Sequence, residues 1–444
     1  MSAPDPAAAR RPQSATSFAL SMASLAIGIA VLWLMAPPQH PGLAGVFGYA
    51  PALPCLAIVL VIAATEWLWP RLRPPSATAL TRTTLRPVDL RRVGVRLWGF
   101  VATLALVAFA YWLFPEYSGT FYEPYWQFLR TLAPVAALVP FYMLWADRRS
   151  SETRDEYYEF GALALGGWRT VDRATIGRHL LGWTVKAYFL PLMTVYLSDE
   201  IHSLYRAVEQ AGSGTVSVYQ VFFHLTYAVD LLYCVVGYTT TMRLLDTHIR
   251  SVEPTVGGWL VALICYQPFY SVIGRFYLQY EDNTYWDNWL GPWPALQAAW
   301  GAVIIVLASI YALSTVAFGL RFSNLTHRGI ITSGPYRFTK HPAYLAKNLS
   351  WWLISVPFVS ELGAAAALRN CCLLGLLNLV YYARARTEER HLSRDPTYVA
   401  YALWINEHGL LRSLARLLPV LKYRAPPAPQ AAGARRGDGN AGAP

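Results

Sequence analysis

Charge is what this 444-residue chain has least of. Asp, Glu, Lys and Arg make up 14% of it, against about 25% in soluble globular proteins, so its surface carries too little charge to be fully wetted. That scarcity excludes an ordinary soluble enzyme. With 55% hydrophobic residues it excludes a disordered scaffold as well. Cysteine is scarce too. Cys55, Cys234, Cys265, Cys371 and Cys372 lie inside apolar runs with no CxxC spacing, which gives neither a disulfide framework nor a zinc site, and no ligand set for another metal. Acidic residues number 26 against 37 basic ones, a net charge of +11. The Arg residues cluster between apolar runs, the positive-inside pattern of cytoplasmic loops, which argues against nucleic acid as a partner. What is abundant is apolar length and aromatic surface. The 17 Trp and 28 Tyr are types that favour membrane–water interfaces. The composition predicts an all-α polytopic membrane protein.

An Ala/Pro/Arg leader, residues 1–16, reads as disordered. The apolar run from Phe18 to Met35 is long for a signal peptide and has no clear cleavage site after it, so it reads as a first span with its N-terminus in the cytoplasm. Runs long enough to span recur at roughly 18–36, 46–69, 95–114, 128–146, 180–198, 216–242, 256–274, 295–320, 344–360 and 364–383. Alternate loops test the count of ten. Arg71, Arg73, Arg82, Arg86, Arg91, Arg92 and Arg96 mark the first basic loop, and Arg148, Arg149, Arg154, Arg169, Arg173 and Arg178 the second. Arg243 and Arg250 mark a third, and Arg321, Arg328, Arg337 and Lys340 a fourth. The intervening loops 115–126 and 279–289 hold acids and no base. About ten transmembrane helices with both termini cytoplasmic are therefore self-consistent. The region 404–421 reads as an interfacial amphipathic helix, and the Pro/Ala/Gly-rich tail 424–444 as disordered. The expected division is a transmembrane region 17–294 of unknown role and a membrane domain 295–423. The Ala/Arg-rich composition suits a bacterial inner membrane.

Chemistry concentrates in two polar clusters. His327 to Tyr344 lies between the eighth and ninth spans, and Ala383 to Leu392 follows the tenth. Two spans joined by a turn near Ser360–Gly363 would return the second cluster beside the first. Topology then converges Tyr336, His341, Tyr344, Arg384 and the Glu388–Glu389 pair. Arg384 and Glu388, spaced i,i+4, share a helix face, and Glu389 points about 100° away. A buried carboxylate needs a cation: a cationic small molecule, or Arg384 itself in a snorkelling pair. His341-Pro342 reads equally as a helix cap followed by a first-turn proline.

These residues resemble a known family. Gly334-Pro335-Tyr336, then Lys340-His341-Pro342-Ala343-Tyr344, then Arg384-x-x-x-Glu388-Glu389-x-x-Leu392 look like the isoprenylcysteine carboxyl methyltransferase family and the related phospholipid methyltransferases, over about residues 300–410. The resemblance implies S-adenosylmethionine as cofactor and a lipidic or lipidated acceptor from the bilayer. It implies that Ile330, Ile331, Tyr336, His341, Pro342, Ala343, Tyr344 and Glu388, with Glu389 beside it, contact the cofactor, and that Arg384 faces the acceptor. Sulfonium and ammonium groups suit aromatic faces and a carboxylate. Lys340 stands where many members have Arg, Ala346-Lys347-Asn348 where many have Gly, and Arg328 where a His is common, with His327 one residue before. A guanidinium favours O-methylation of an anionic group at the cytoplasmic face over amine methylation.

Other readings stay open at this point. They are a phospholipid N-methyltransferase, an NADPH-dependent reductase of the sterol-reductase type, and a transporter or assembly factor. Lys186, His224 and Asp230 fall inside expected spans, where ionisable groups are either functional or paired with one another. The loop from Tyr280 to Trp289 mixes acids and aromatics, as a sugar- or cation-binding loop or an interfacial belt would.

Overall fold

The computed structural model describes residues 10–35, 51–69, 80, 85–212 and 218–426. Residues 1–9 of the leader, Arg71, Arg73 and Arg82, and the tail from 427 lie outside the described residues. Helices dominate: α1 Phe18–Leu34, α2 Ala52–Leu68, α3 Leu90–Leu113, α4 Glu123–Ala136, α5 Val139–Arg149, α6 Glu156–Ala164, α7 Arg173–Gly212 and α8 Val218–Thr239. They continue with α9 Val256–Leu263, α10 Phe269–Phe276, α11 Trp286–Leu290, α12 Pro294–Val316, α13 Pro342–Ser355, α14 Ala364–Leu392, α15 Pro396–His408 and α16 Arg412–Leu417. Two short strands, β1 Ser251–Val252 and β2 Thr326–His327, pair antiparallel with Ser251 opposite His327.

Every apolar run expected to span contains helix, but fewer than ten cross by length. Five helices, α3, α7, α8, α12 and α14, are long and apolar enough, and a sixth span arises if α4 and α5, bent by 58°, count as one. The helices α1 and α2 have 17 residues each, and α13 has 14. The seventh run, 256–274, is two eight-residue helices. Pro268 stands at the break and has no N–H to carry a helix through it.

The core sits around α8, whose residues Ala228 to Tyr238 are all buried. A helix apolar on every side belongs inside a bundle, and Val185, Phe189 and Leu192 of α7 pack with Leu232 and Val235 in one cluster. The helices α3 and α6 cross at two glycines. A Cβ on Gly99 would fall 2.0 Å from the Tyr157 carbonyl, and one on Gly161 2.0 Å from the Val95 carbonyl. Small residues at such a crossing let backbones touch where lipid gives no hydrophobic drive.

The four basic loops meet at one end. Arg92 and Arg96 both reach Asp147 at 2.5 Å. Arg243 reaches Glu152 at 2.9 Å and Glu156 at 3.3 Å, and Arg321 reaches Asp246 at 2.9 Å. Leader residues 12–16 are not loose. Ala15 N–H donates to the Ile330 carbonyl at 2.9 Å, Thr332 N–H to Ser14 Oγ at 3.2 Å and Thr332 Oγ1 to the Pro12 carbonyl at 2.8 Å. Residues 330–333 lie outside any strand, and their backbone groups find partners in the leader. The expected amphipathic helix over 404–421 is likewise divided: α15 ends at His408, and Leu410 N–H bonds the Phe338 carbonyl at 2.7 Å.

Candidate functional site

The hairpin of α13 and α14 builds the site. Pro342 opens α13 in the first-turn position that tolerates its missing N–H, and Val356 (φ 35°) and Gly363 (φ 95°) flank the turn. The return brings the two polar clusters together: Tyr344 Oη donates to Glu388 Oε2 at 2.9 Å. His341 gives no side-chain cap to α13. Its ring stacks on Tyr344 with centroids 5.6 Å apart and bonds Glu389 Oε1 at 3.2 Å. Between the clusters lies a cavity of about 120 Å³, lined by Tyr336, His341, Ala343, Tyr344, Arg384 and Glu388.

Arg384 and Glu388 share a face, yet among the described residues they form no ion pair with each other. Arg384 is buried, and its Nη2 donates to Asn324 Oδ1 at 2.5 Å and Tyr266 Oη at 3.4 Å. The rings of Tyr344, Tyr266 and Tyr381 lie 5.3, 5.4 and 6.0 Å from its guanidinium carbon. These partners are all neutral. Glu388 has the Tyr344 hydroxyl and, among the described residues, no cation. The cavity wall thus carries an acid, Glu388, and a base, Arg384, each without a counter-charge among the described residues, whereas Glu253, which also lines it, meets Arg390 at 3.5 Å. Lys347, on the same wall, sits over the rings of Tyr311 and Trp351 at 5.0 and 5.4 Å.

Glu389 is placed differently. It points away from the cavity lining and is held by Lys340 at 2.5 Å, Arg386 at 2.6 Å and His341 at 3.2 Å. Burial holds the Lys340 ammonium below its usual range against the upward pull of Glu389. Ile330 and Ile331 are buried and do not line the cavity, nor does Pro342. Ile330 packs on Tyr398, Tyr401 and Ile405. Tyr336 does line it, and burial raises its phenol well above the usual range.

The two residues at the displaced histidine position have structural partners. Arg328 is buried and donates to the carbonyls of Thr247, Gly237, Phe322 and Leu320 at 2.6 to 3.1 Å, a staple for the loop. His327 Nε2 meets Asp395 Oδ2 at 2.8 Å, and burial lowers its pKa against the pull of that carboxylate. The three ionisable groups inside spans do not pair with one another. His224 meets Glu200 at 2.8 Å, Asp230 accepts from Tyr311 at 2.8 Å and from Thr315, and Lys186 has, among the described residues, an aromatic partner alone, the Trp183 ring. In the loop from Tyr280 to Trp289, Tyr280 and Trp286 are buried and Asp282 accepts from Asn370 at 2.9 Å.

Sequence reasoning missed Tyr266, Asn324 and Lys347 as cavity residues. Pro268 inside an apolar run signalled a break near Tyr266; nothing in the pattern singled out Asn324. Among the described residues no three His, Cys, Asp or Glu side chains are grouped to hold a metal.

Residues 299–394 match the isoprenylcysteine carboxyl methyltransferase (ICMT) family. That segment holds α13, α14 and the whole Arg384–Glu388 face, and it supports a membrane-integral methyltransferase. The cavity is completed from outside it, by Glu253 and Tyr266. Searches of curated proteins and of solved structures give no match.

Proposed function

We propose that the chain is an S-adenosylmethionine-dependent methyltransferase that modifies an anionic group on a lipophilic acceptor at the cytoplasmic face. Residues 295–423 would form the catalytic domain, with 17–294 a separate transmembrane region. The observation that carries this is the pair of uncompensated charges on one cavity wall. The residues fit the cofactor: Glu388 and the Tyr344 and His341 rings suit its ammonium and sulfonium. The space of about 120 Å³ is below the roughly 300 Å³ of a small-molecule pocket, so binding requires the lining to open.

The cofactor, when bound, supplies the methyl group. The chain's part is to hold, align and keep dry. Glu388 anchors a cation, with its carboxylate oriented by the Tyr344 hydroxyl. Arg384, one helical turn away and steadied by Asn324 and Tyr266, holds the acceptor's carboxylate or phosphate oxygen bidentately. Lys347 adds positive potential on the same wall. No proton need be moved if the acceptor oxygen arrives ionised.

Purified protein given labelled S-adenosylmethionine or labelled NADPH separates the readings. Retention of the first and not the second is expected, and the reverse favours the reductase. Membrane extracts given methyl-labelled cofactor should then yield base-labile methyl ester. Base-stable methylamine in a headgroup would overturn the acceptor class in favour of phospholipid N-methylation.

A further inference from the structure

A second cavity, of about 810 Å³, lies among the N-terminal helices, outside the family match. Its lining comes chiefly from α3, the bent α4 and α5, and α7, and it follows α3 from Arg96 to Trp112. At 1.5 Å per residue that is about 24 Å, longer than the roughly 15 Å of one hydrocarbon leaflet. Phe100, Val107, Tyr125 and Leu129 typify its walls. Leu104 and Trp112 line it and are also 42% and 77% exposed on the flank of the span, so the cavity opens sideways, where lipid would be.

Its charge is one-sided. Arg96, Arg178, Lys186, Arg243 and Arg250 line it against Asp155 and Glu156. Arg96 is matched by Asp147 at 2.5 Å and Asp155 at 3.0 Å, and Arg243 by Glu152 and Glu156. Lys186 is unmatched. Its Nζ lies 3.4 Å from the centroid of the Trp183 ring, and it makes no ion pair among the described residues. Its depth follows from its place in α7: it stands 13 residues from the Arg173 end, about 20 Å along the helix axis, and the neighbouring Ala187 carbonyl accepts from Tyr111 of α3 at 2.7 Å. A lone ammonium at that depth is costly and marks a ligand or ion pathway. At the basic end, His248 Nδ1 and Arg250 Nε also lack hydrogen-bond partners among the described residues.

The two cavities are distinct. Tyr238 lines the larger one, and its hydroxyl accepts from Asn324 N–H and Nδ2 at 2.9 and 3.0 Å on the other side. Asn324 in turn lines the smaller. Phe189 stacks on Tyr238 at 5.8 Å and stiffens this partition.

We infer that the larger cavity binds a long-chain anionic amphiphile drawn from the bilayer. Its acidic group, a carboxylate or phosphate ester, pairs with Lys186, and its chain fills the apolar length along α3 to the lateral mouth. The inference is independent of the methyl-transfer proposal, because it needs neither Arg384 nor Glu388.

The test reconstitutes the full chain in phosphatidylcholine nanodiscs doped with palmitate in one arm and phosphatidylglycerol in the other, then measures lipid retained after transfer to mild detergent. The wild type should retain at least one anionic probe in preference to phosphatidylcholine, and the arm that wins identifies carboxylate or phosphodiester. Lys186→Met should weaken retention about 30-fold or more, the low end for losing one partner of a desolvated charge pair. Lys186→Arg should restore most of it. Ala108→Trp fills the cavity from an exposed lining position with the charge intact, so it should abolish retention even if Lys186→Met fails to fold. Equal retention of phosphatidylcholine, or unchanged retention in Ala108→Trp or folded Lys186→Met, would overturn the inference.

Discussion

Glu388→Gln and Glu389→Gln differ by one position and should fail in opposite ways. Glu388 lines the cavity, is half-buried, and has among the described residues only the Tyr344 hydroxyl as partner. Its loss leaves the fold's own charge balance intact but removes the partner of a bound cation. Losing one member of a desolvated pair costs about 2–5 kcal/mol. The half-exposure of Glu388 points to the lower figure, about 30-fold in affinity. Glu389 is buried with Lys340, Arg386 and His341 around it. Removing its charge strands Lys340, whose side chain is 9% exposed, and breaking a buried pair costs roughly 3–5 kcal/mol of stability. The assay is twofold on the same detergent-purified samples: equilibrium binding of labelled S-adenosylmethionine below the unfolding range, and thermal unfolding. Glu388→Gln should bind weakly and unfold normally. Glu389→Gln should unfold early, with a smaller loss of affinity while folded. Wild-type affinity in Glu388→Gln would refute the assignment of that carboxylate, and weaker binding in folded Glu389→Gln than in Glu388→Gln would reverse it.

Three further outcomes are expected. The His327 pKa lies below its ordinary 6.5, so the unfolded state binds the extra proton first. The stability that burying a neutral His327 allows is present above about pH 6.5 and lost as pH falls through the lowered value, a loss that the Asp395 carboxylate limits by pulling the pKa back up. Amide protection factors over α15, taken against intrinsic exchange at the same pH, should therefore fall below pH 6 in the wild type and lose that step in His327→Gln; an unchanged step would exclude His327 as its source. Gly161→Leu drives a side chain into the Val95 carbonyl and should destabilise by about 3 kcal/mol or more, whereas Gly94→Ala, with open space around it, should be tolerated; equal unfolding midpoints would contradict the crossing. With the exposed Cys372 replaced by Ser, an impermeant maleimide added to intact cells should label a cysteine at position 282 and spare positions 86 and 149; the opposite pattern would invert the topology.

What was legible in the sequence follows from periodicity and spacing. The hairpin between Tyr344 and Glu388 could be read because two apolar runs of nearly equal length must return a chain to its starting face. The split between Glu388 and Glu389 was legible too, since 100° per residue turns neighbours onto different surfaces. Asn324, the residue that anchors Arg384, was not legible, because a loop amide carries no pattern until the loop's path is known. Tyr266 was hidden for the opposite reason: within an apolar run a tyrosine reads as interfacial surface. Ten runs of adequate hydropathy did not give ten full-length crossings. Apolar composition marks burial in lipid or in protein alike, and α1, α2 and the divided 256–274 segment fall short by length. Asp147 and Asp246 escaped a count of loop bases because positive-inside reasoning follows Lys and Arg excess, while folding brings the acids of one loop onto the bases of another. The leader misled by composition. Pro, Ala and Arg suggest disorder, but Pro12, Ser14 and Ala15 bond residues 330–332.

The arrangement of Arg384 and Glu388 has a physical consequence for the choice of ligand. An i,i+4 acid and base on one helix face would ordinarily close on each other. Here Asn324 and Tyr266 draw the guanidinium one way, and Tyr344 holds the carboxylate the other. Each charge is left in a partly desolvated wall without its opposite, an arrangement that stability alone disfavours. Such separation is what a preorganised site for opposite charges requires, since no protein group need move to meet the ligand. A cationic methyl donor and an anionic acceptor, side by side, meet each wall charge with its opposite. That matching of charges is what supports the proposed transfer of a methyl group to an anionic acceptor.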